Sequence, residues 1–452
     1  MKTMGMMMNR IVLFVCFCFI FLNSVTAAPY KKGVLSPSDD PFYQPPSGFE
    51  KEKPGTILKS RLLPPKSLAA FSVFPQNIKN VYQFLYRTTD ALGEPITTVT
   101  TLMVPYNADP SKLVTYQIMQ DSPSTGCSPS QVLRKGDGLK GIISQGELLF
   151  IDTLLARGWY VNTADYEGSK AAFTVGAMAG HGILDSVRAV LHSSNQTKIQ
   201  PDADIQIWGY SGGALASGWA TQLQPTYAPE LNIIGAALGG TPVDLNATLN
   251  AVSGTVFAGL APSGIIGLSQ QYPDVAKYVD SILVPEKKEA FYKAKELCLS
   301  ELVANYAFQK MSSYVTRPDY TNAPVAKKAM EANVMGHASV PKFPLFMYHA
   351  EHDEVVPYAP AANLYTNWCK RGANIQFVKD ELSEHLVLYV TGAANAINFL
   401  ENRFKGVAVE TGCSSRTTVT SALDPGALEV FGEAIWNALD GLLGLPIGPG
   451  NI

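Results

Sequence analysis

Short apolar runs alternate with segments of helical periodicity over most of the chain. The runs have the length and composition of buried strands. They occupy Val81–Tyr86, Ile96–Val104, Leu113–Ile118, Trp159–Asn162, Ile205–Trp208, Ile233–Leu238, Leu345–His349 and Asn374–Val378. Between them, Glu147–Ala156 and Ala177–Leu191 repeat apolar residues with the i, i+3, i+4 spacing of a helix. This alternation predicts an α/β fold with a mostly parallel sheet and helices on both faces.

The alternation is interrupted at residues 244–336. The stretch Leu245–Pro273 contains no charged residue, but glycines and Pro262 interrupt it too often for a membrane-spanning helix. We predict a helical insertion whose apolar surface faces either an apolar ligand or, as an ordinary buried subdomain, the core. The predicted organisation is a core formed by residues 28–243 and 337–452, the second part including a C-terminal segment, with the insertion between them.

The C-terminal segment contains one further helical pattern. Its apolar residues are Leu428, Phe431, Ile435, Trp436, Leu439 and Leu442, with acidic residues interspersed and no Lys or Arg. A membrane-binding helix usually carries basic residues on its polar face. The pattern therefore favours a packed amphipathic helix over a membrane-binding one.

Residues 1–27 have the features of a secretory signal peptide. Lys2 and Arg10 precede the apolar run Ile11–Leu22, and Val25 and Ala27 stand at positions −3 and −1 of a small-residue cleavage site. The run is too short to span a bilayer. A signal anchor is the alternative, but polar residues follow where an anchor would stay apolar. We therefore expect cleavage and a secreted protein.

Composition and charge exclude two classes of protein. The chain of 452 residues is 46% hydrophobic and 16% charged, which excludes general disorder. Its formal net charge is −3, or −5 without residues 1–27, so it has no basic surface for nucleic acid. We expect no nucleic-acid partner and no transmembrane segment.

Cysteines and sequons agree with a secretory route. After cleavage four cysteines remain, Cys127, Cys298, Cys369 and Cys413. An even number of thiols in an oxidising compartment predicts two disulfides, but spacing does not choose among the three connectivities. No Cys or His spacing indicates a metal site. Asn195 and Asn246 stand in glycosylation sequons.

Gly209-Tyr-Ser-Gly-Gly213 indicates a nucleophilic serine. It follows the predicted strand Ile205–Trp208 and precedes a helical stretch. A nucleophile elbow needs this context, because flanking glycines allow a sharp turn that lifts the hydroxyl of Ser211 above the sheet. The alternative is a glycine-rich connection that only packs tightly. The placement between strand and helix favours the nucleophile.

A serine nucleophile needs an acid and a base further along the chain. The acid is expected in the loop after Leu345–His349, where Asp353 precedes a turn with Val-Val-Pro. Glu351 and Glu354 are the competing carboxylates. We predict Asp353 as the acid, because its context ends a strand and opens a turn.

The predicted base is His385. It is the only histidine well downstream of the acid loop, after room for one helix and one strand. His352 is the main rival. Because it is adjacent to Asp353 in the sequence, its side chain cannot lie between Asp353 and the serine, as the base of a Ser-His-Asp triad must. His349 and His337 are better interpreted as core or surface histidines.

The tetrahedral intermediate needs backbone N–H donors. Gly212, after the nucleophile, supplies one, and the loop Gln120-Asp-Ser-Pro123 after the third predicted strand supplies the other from Asp121. An ionised carboxylate beside a developing negative charge would be harmful. Asp121 must therefore either turn its carboxylate away or hold it protonated.

Taken together, these motifs resemble the fungal secretory lipases, a family typified by Candida antarctica lipase A and the secreted lipases of pathogenic yeasts. The similar motifs are Asp40-Pro-Phe-Tyr, Tyr86-Arg-Thr-Thr, Tyr116-Gln with Asp121, Asp165-Tyr-Glu-Gly, Gly209-Tyr-Ser-Gly-Gly, Tyr227-Ala-Pro-Glu-Leu, Gly239-Gly-Thr-Pro, Val340-Pro-Lys-Phe-Pro, Asp353-Glu-Val-Val-Pro-Tyr and Glu384-His-Leu. They run over nearly all the mature chain in one order, so the resemblance is specific.

The resemblance implies an α/β-hydrolase core with a helical cap at residues 244–336 and an acyl-binding tunnel under a lid. It places the nucleophile on Ser211, the acid on Asp353, the base on His385 and the oxyanion donors on Asp121 and Gly212. It pairs the four cysteines as follows: Cys127 with Cys298, and Cys369 with Cys413.

The predicted function is a secreted serine lipase that hydrolyses acylglycerol esters and needs no cofactor or metal. A secreted esterase on small secondary-metabolite esters would use the same triad and differ only in the cap pocket. A serine peptidase of this fold would need an additional domain or a charged specificity pocket, and the sequence indicates neither. The intact Ser, Asp and His disfavour a binding module without catalytic activity. We expect a monomer whose partners are a lipid or ester substrate and a lipid–water interface.

Overall fold

A ten-stranded sheet runs through the part of the chain that the computed structural model describes, residues 34–450. From Leu35 onward the chain forms one compact unit. The predicted signal peptide, residues 1–27, lies outside the described residues. Its cleavage therefore stays a prediction.

The strands and helices have the following bounds. The strands are β1 Ile57–Leu62, β2 Ala69–Ala70, β3 Phe74–Pro75, β4 Asn80–Thr89, β5 Pro95–Val104, β6 Lys112–Gln117, β7 Tyr160–Ala164, β8 Asp204–Tyr210, β9 Ile233–Gly239, β10 Leu345–Ala350, β11 Ile375–Asp380 and β12 Cys413–Thr418. The helices are α1 Pro129–Val132, α2 Ile142–Gly146, α3 Leu148–Ala156, α4 Gly176–His192, α5 Ser194–Thr197, α6 Gly212–Tyr227, α7 Leu245–Val252, α8 Leu260–Gln271, α9 Pro273–Ile282, α10 Lys288–Tyr292, α11 Leu299–Tyr306, α12 Pro324–Glu331, α13 Tyr358–Lys370, α14 His385–Thr391, α15 Ala393–Phe404 and α16 Ala427–Leu443.

The large sheet has the order β1-β4-β5-β7-β6-β8-β9-β10-β11-β12. From β7 to β12 all neighbouring strands are parallel, whereas β1, β4 and β5 pair antiparallel at one edge. The short strands β2 and β3 form a separate hairpin. The carboxyl ends of the parallel strands therefore lie along one edge of the sheet, where loops can bring distant residues together.

Two apolar layers cover the sheet. Ile205 and Ile207 of β8 pack with α4, α6 and α13, whereas Trp208 and Tyr210 of the same strand pack with α3 and α15. This alternation is what a strand buried on both faces requires. The predicted α/β class, a mostly parallel sheet with helices on both faces, is confirmed.

Short helices fill the segment between β9 and β10. Helix α7 begins where the side chain of Asp244 accepts hydrogen bonds from the N–H groups of Asn246 and Ala247, at 2.8 and 3.1 Å. Prolines stand at the first position of α9 and α12, where a missing N–H costs nothing. Helices α7 to α12 occupy the predicted insertion, residues 244–336, whose role as a cap stays a prediction.

The C-terminal helix α16 packs on α3, α15 and β3, outside the helical layer. Its contact with α3 contains a buried carboxyl group, Asp152, with no hydrogen-bond partner among the described residues. A side chain at Gly441 of α16 would overlap both Asp152 Oδ2 and Gln76 Oε1. The Gln76 amide donates elsewhere, to the Phe74 carbonyl at 2.9 Å, so its oxygen faces the carboxyl group.

Asp152 Oδ2 and Gln76 Oε1 therefore lie together under α16. If Asp152 were ionised, both would be hydrogen-bond acceptors and neither could donate to the other. Burial raises the pKa of Asp152 well above its usual value, which agrees with a neutral acid that can donate to Gln76. A carboxyl group with a raised pKa in the folded state loses its stabilising contribution as the pH rises above its unfolded pKa.

We expect Asp152→Asn to stabilise the protein increasingly as the pH rises above the ordinary carboxyl range. The amide supplies a permanent donor, so the gain should reach about 1 kcal/mol or more in alkaline buffer and vanish in acid. Urea unfolding at several pH values measures it. An equal effect at all pH values would contradict the buried neutral acid.

Candidate active site

Ser211 lies on a strained turn between β8 and α6. Its backbone has φ 53° and ψ −123°, a conformation that a non-glycine residue adopts only where its surroundings impose it. A Cβ atom on Gly209 would overlap the Gly213 carbonyl, and one on Gly213 would overlap the Gln117 carbonyl of β6. Both glycines are therefore required for the turn to form. The role of this turn as a nucleophile elbow stays a prediction.

The hydroxyl of Ser211 begins a chain of hydrogen bonds. Ser211 Oγ is 2.8 Å from His385 Nε2, and His385 Nδ1 is 2.7 Å from Asp353 Oδ2. The other carboxylate oxygen of Asp353 accepts from the N–H groups of Val355 and Val356, at 3.0 and 2.6 Å. Burial alone would raise the pKa of Asp353, but His385 and these hydrogen bonds bring it below its usual value. Asp353 is therefore ionised and faces His385.

Two neighbouring groups fix the backbone of His385. The carboxylate of Glu354 accepts the His385 N–H at 2.8 Å, and the hydroxyl of Tyr210 donates to the His385 carbonyl at 2.6 Å. His385 is the first residue of α14, so both contacts position the start of that helix. The sequence indicates Glu354 only as a rival acid and gives no signal of this role.

The remaining candidates lie outside the chain of hydrogen bonds. His352 and His337 are exposed, and Glu351 forms an exposed ion pair with Lys379 at 2.9 Å. His349 is buried, with Nε2 at 2.9 Å from the Val356 carbonyl and 3.4 Å from Asp353 Oδ2. Burial lowers the pKa of His349, so it is a neutral core histidine behind the acid.

The loop after β6 carries Asp121 to the start of α6. Asp121 has a φ of 49°, and its carbonyl accepts a hydrogen bond from Ser263 of α8 at 2.9 Å. Its carboxyl group lies against Gly212, where an added Cβ would overlap Oδ1. Oδ1 is buried and has no hydrogen-bond partner among the described residues.

The carboxyl group of Asp121 is thus turned toward the site and not away from it. Burial raises its pKa to about 7, although the charge of His385 acts in the opposite direction. At neutral and acidic pH a substantial fraction of the group is therefore uncharged. Of the two alternatives that the sequence leaves open, the geometry favours the protonated carboxyl group.

Two buried side chains that sequence reasoning missed hold this loop. The carboxyl group of Glu147 accepts from the Met119 N–H and the Tyr116 hydroxyl, both at 2.8 Å. The hydroxyl of Tyr166 donates to the Ile118 carbonyl at 2.9 Å. Burial raises the pKa of Glu147 to about 8. A carboxyl residue at the start of a helical pattern looks like an ordinary surface residue, so no sequence signal indicated this contact.

An apolar cavity opens beside Ser211, Gly212 and Asp121. Its walls come mainly from α6, α7 and α8, and include Phe173, Leu215, Leu245, Leu249, Ile265 and Val356. The two helices α7 and α8 lie within the charge-free stretch Leu245–Pro273. Of the two interpretations of that stretch, the cavity favours an apolar ligand.

Two disulfides tie loops around the sheet. Cys127 is bonded to Cys298, which links the loop after Asp121 to the start of α11. Cys369, near the end of α13, is bonded to Cys413 at the start of β12. This is the pairing that the resemblance implies. Both sequon residues, Asn195 and Asn246, are exposed, and their glycosylation stays a prediction.

Two further features bear on ligands and membranes. Within residues 34–450, no cluster of His, Cys, Asp and Glu side chains could hold a metal ion. In the same range, no helix has the length and apolar character needed to cross a membrane.

Comparisons with known proteins agree with these observations. The profile of the family described as "Secretory lipase" matches residues 133–412. The chain is 39% identical to lipase A of Arthroderma benhamiae over 92% of its length and 90% of that protein's. It is 36% identical to a secreted triacylglycerol lipase of Malassezia furfur, over 91% of this chain and 85% of that protein.

The solved structures give the same result. The crystal structure of Candida antarctica lipase A matches with a TM-score of 0.81 and 33% identity, over 92% of this chain and 99% of that one. A rice cell wall degrading esterase from Xanthomonas oryzae, 17% identical with a TM-score of 0.59, shares the fold. The predicted α/β-hydrolase fold and the resemblance are confirmed. The chain belongs to the secretory lipase family and is a secreted carboxylic ester hydrolase of the triacylglycerol lipase type.

Proposed function

We propose that this protein hydrolyses acylglycerol esters through an acyl-enzyme formed on Ser211. The observation that carries the proposal is the hydrogen-bonded chain of Ser211, His385 and Asp353 at the mouth of an apolar cavity. A serine hydroxyl becomes an effective nucleophile only beside an oriented base, and a fatty acyl chain needs an apolar, poorly hydrated surface to bind. Both requirements meet at this site.

The reaction has two halves. Ser211 Oγ attacks the ester carbonyl while His385 Nε2 takes its proton, and His385 then gives that proton to the leaving alcohol. The acyl group remains bonded to Ser211 until a water molecule, deprotonated by His385, attacks it and releases the fatty acid. Asp353 stays ionised and stabilises the charged imidazole in both halves.

The oxyanion of each tetrahedral intermediate is assigned to the N–H groups of Asp121 and Gly212. Donors fixed before the reaction need no reorganisation when the charge develops. The Ser263, Glu147 and Tyr166 contacts support such fixed donors. In this proposal residues 244–336 form the cap, and its helices α7 and α8 hold the acyl chain.

We expect Ser211→Ala to reduce ester hydrolysis by about 10⁴-fold or more, because the proposed acyl-enzyme forms on the hydroxyl that this change removes. The test is a series of p-nitrophenyl esters from acetate to palmitate together with emulsified triacylglycerol. Activity equal to wild type in the alanine variant would contradict the role of Ser211. Wild-type activity confined to acetate would contradict the lipase and favour an esterase on small esters.

We expect the activity of the wild-type protein to fall as the pH rises through about 7, the pKa of Asp121, because its carboxylate then faces the developing oxyanion. Asp121→Asn keeps the shape without the charge and should remove this fall. Initial rates across the pH range measure it. Glu351→Gln, an exposed acid, is the control and should keep the wild-type profile. An unchanged profile in the asparagine variant would refute the protonated carboxyl group.

We expect Leu249→Trp to shift selectivity toward short acyl chains, because Leu249 lines the cavity and the larger ring fills it. The ratio of kcat/KM for butyrate to that for palmitate should rise about tenfold or more. Val256→Trp, an exposed position in the same segment, is the matched control. An equal ratio in both variants would contradict acyl binding between α7 and α8.

A further inference from the structure

The C-terminal helix α16 has apolar side chains on two faces. Ala427, Val430 and Gly441 face inward and are buried. A second set points to solvent, and we call it the outer stripe: Leu428, Ile435, Trp436, Leu439 and Leu443. Trp436 is 68% exposed and Leu443 is 75% exposed.

The spacing of the outer stripe places its members on one side of the helix. From Leu428 to Leu443 they recur at i, i+7, i+8, i+11 and i+15, which extends over about 22 Å of helix. Exposed apolar residues are normal when they are scattered, but a continuous row on one element indicates an interaction surface.

Charge narrows the choice of partner. The helix carries Glu429, Glu433 and Asp440 and no Lys or Arg. Glu433 is paired with Arg157 at 2.5 Å, and the other two acids form no ion pair among the described residues. An acidic helix is repelled by anionic lipid, whereas apolar side chains around a central tryptophan suit an uncharged lipid surface.

Further exposed apolar residues lie between α16 and the proposed base. The 3₁₀ turn Ser421–Leu423 contacts both α16 and α14, the helix that begins at His385. Around this turn lie further exposed side chains, namely Leu382, Leu386, Val387, Val419 and Leu423. The Leu382 N–H donates to the Val419 carbonyl at 3.0 Å, so the two loops are held together.

We propose that the outer stripe of α16 docks the protein on the surface of an uncharged lipid phase. The identity of that phase, a droplet of the ester substrate, rests on the proposed function. The helix lies flat, with its inner face on α3 and its outer face in the lipid. The apolar residues around the 3₁₀ turn extend this contact toward the helix that carries His385.

The chain contains its own reporter for a test. Of its five tryptophans, Trp159, Trp208, Trp219 and Trp368 are buried, so a solvent-dependent change in emission comes from Trp436. The mature protein with Ser211→Ala is mixed with triolein droplets coated with phosphatidylcholine, so binding is measured without hydrolysis. We expect a blue shift of the emission and flotation of the protein with the droplets.

The double variant Leu439→Gln, Leu443→Gln keeps Trp436 and removes two members of the outer stripe. We expect its apparent affinity for the droplets to fall about tenfold or more. The matched control is Leu62→Gln, Leu92→Gln, which changes two leucines that are each 58% exposed and lie elsewhere on the surface. The control should bind as the parent does. In a protein with Ser211 intact, the changes Leu439→Gln and Leu443→Gln should lower the hydrolysis of triolein and leave the hydrolysis of soluble p-nitrophenyl butyrate unchanged.

Four results would overturn the proposal. Three concern the droplets: no emission shift, equal flotation of the two double variants, or tighter binding to droplets coated with phosphatidylglycerol. The fourth is that the parent protein does not bind droplets but forms a dimer, which is lost in the Leu439→Gln, Leu443→Gln variant. The last result would identify a second copy of the chain as the occupant. Failure of the proposed function would appear differently, as a wild-type protein that floats with droplets but hydrolyses no ester.

Discussion

The close approach of backbone between β6 and the turn after β8 determines where the site can form. Gly209 pairs with Gln117, and Gly213 lies so near the Gln117 carbonyl that no side chain fits between them. The end of β6 is therefore held against the start of α6. Asp121 follows Gln117 by only four residues, so the same contact brings its carboxyl group against Gly212. One steric constraint thus positions the proposed nucleophile together with the loop that carries Asp121.

Around this constraint lie several buried carboxyl groups whose pKa is raised by burial. Burial raises the pKa of Asp121 and Asp165 to about 7 and that of Glu147 to about 8. Asp165 accepts from the N–H and hydroxyl of Ser130, and Glu147 holds the loop that leads to Asp121. Each such group binds its proton more tightly in the folded than in the unfolded state. Their contribution to stability is therefore present in acid and lost as the pH rises through the pKa of the folded state.

The sequence is informative where one strong pattern dominates and uninformative where tertiary contacts decide. The eight predicted strands could be found because their apolar runs match strands buried in the sheet, whereas β12, Cys-Ser-Ser-Arg-Thr-Thr, lies at the sheet edge and has no apolar pattern to detect. The contact of Ser211, His385 and Asp353 could be predicted because turn chemistry and chain order restrict where these residues lie. Glu147 and Glu354 could not, since only the fold shows which N–H groups they meet. Periodicity likewise predicted α16 but not that its second apolar face stays exposed.

In the proposed mechanism Ser211 attacks the ester while the N–H groups of Asp121 and Gly212 bind the oxyanion. A p-nitrophenyl alkylphosphonate, which mimics the tetrahedral intermediate, tests it most directly. We expect release of one equivalent of p-nitrophenol with loss of activity, and a mass increase confined to the peptide that contains Ser211. A crystal structure of the adduct should place the phosphonyl oxygen at the N–H groups of Asp121 and Gly212. Full inactivation with the adduct on another residue, or a phosphonyl oxygen turned away from both N–H groups, would contradict it.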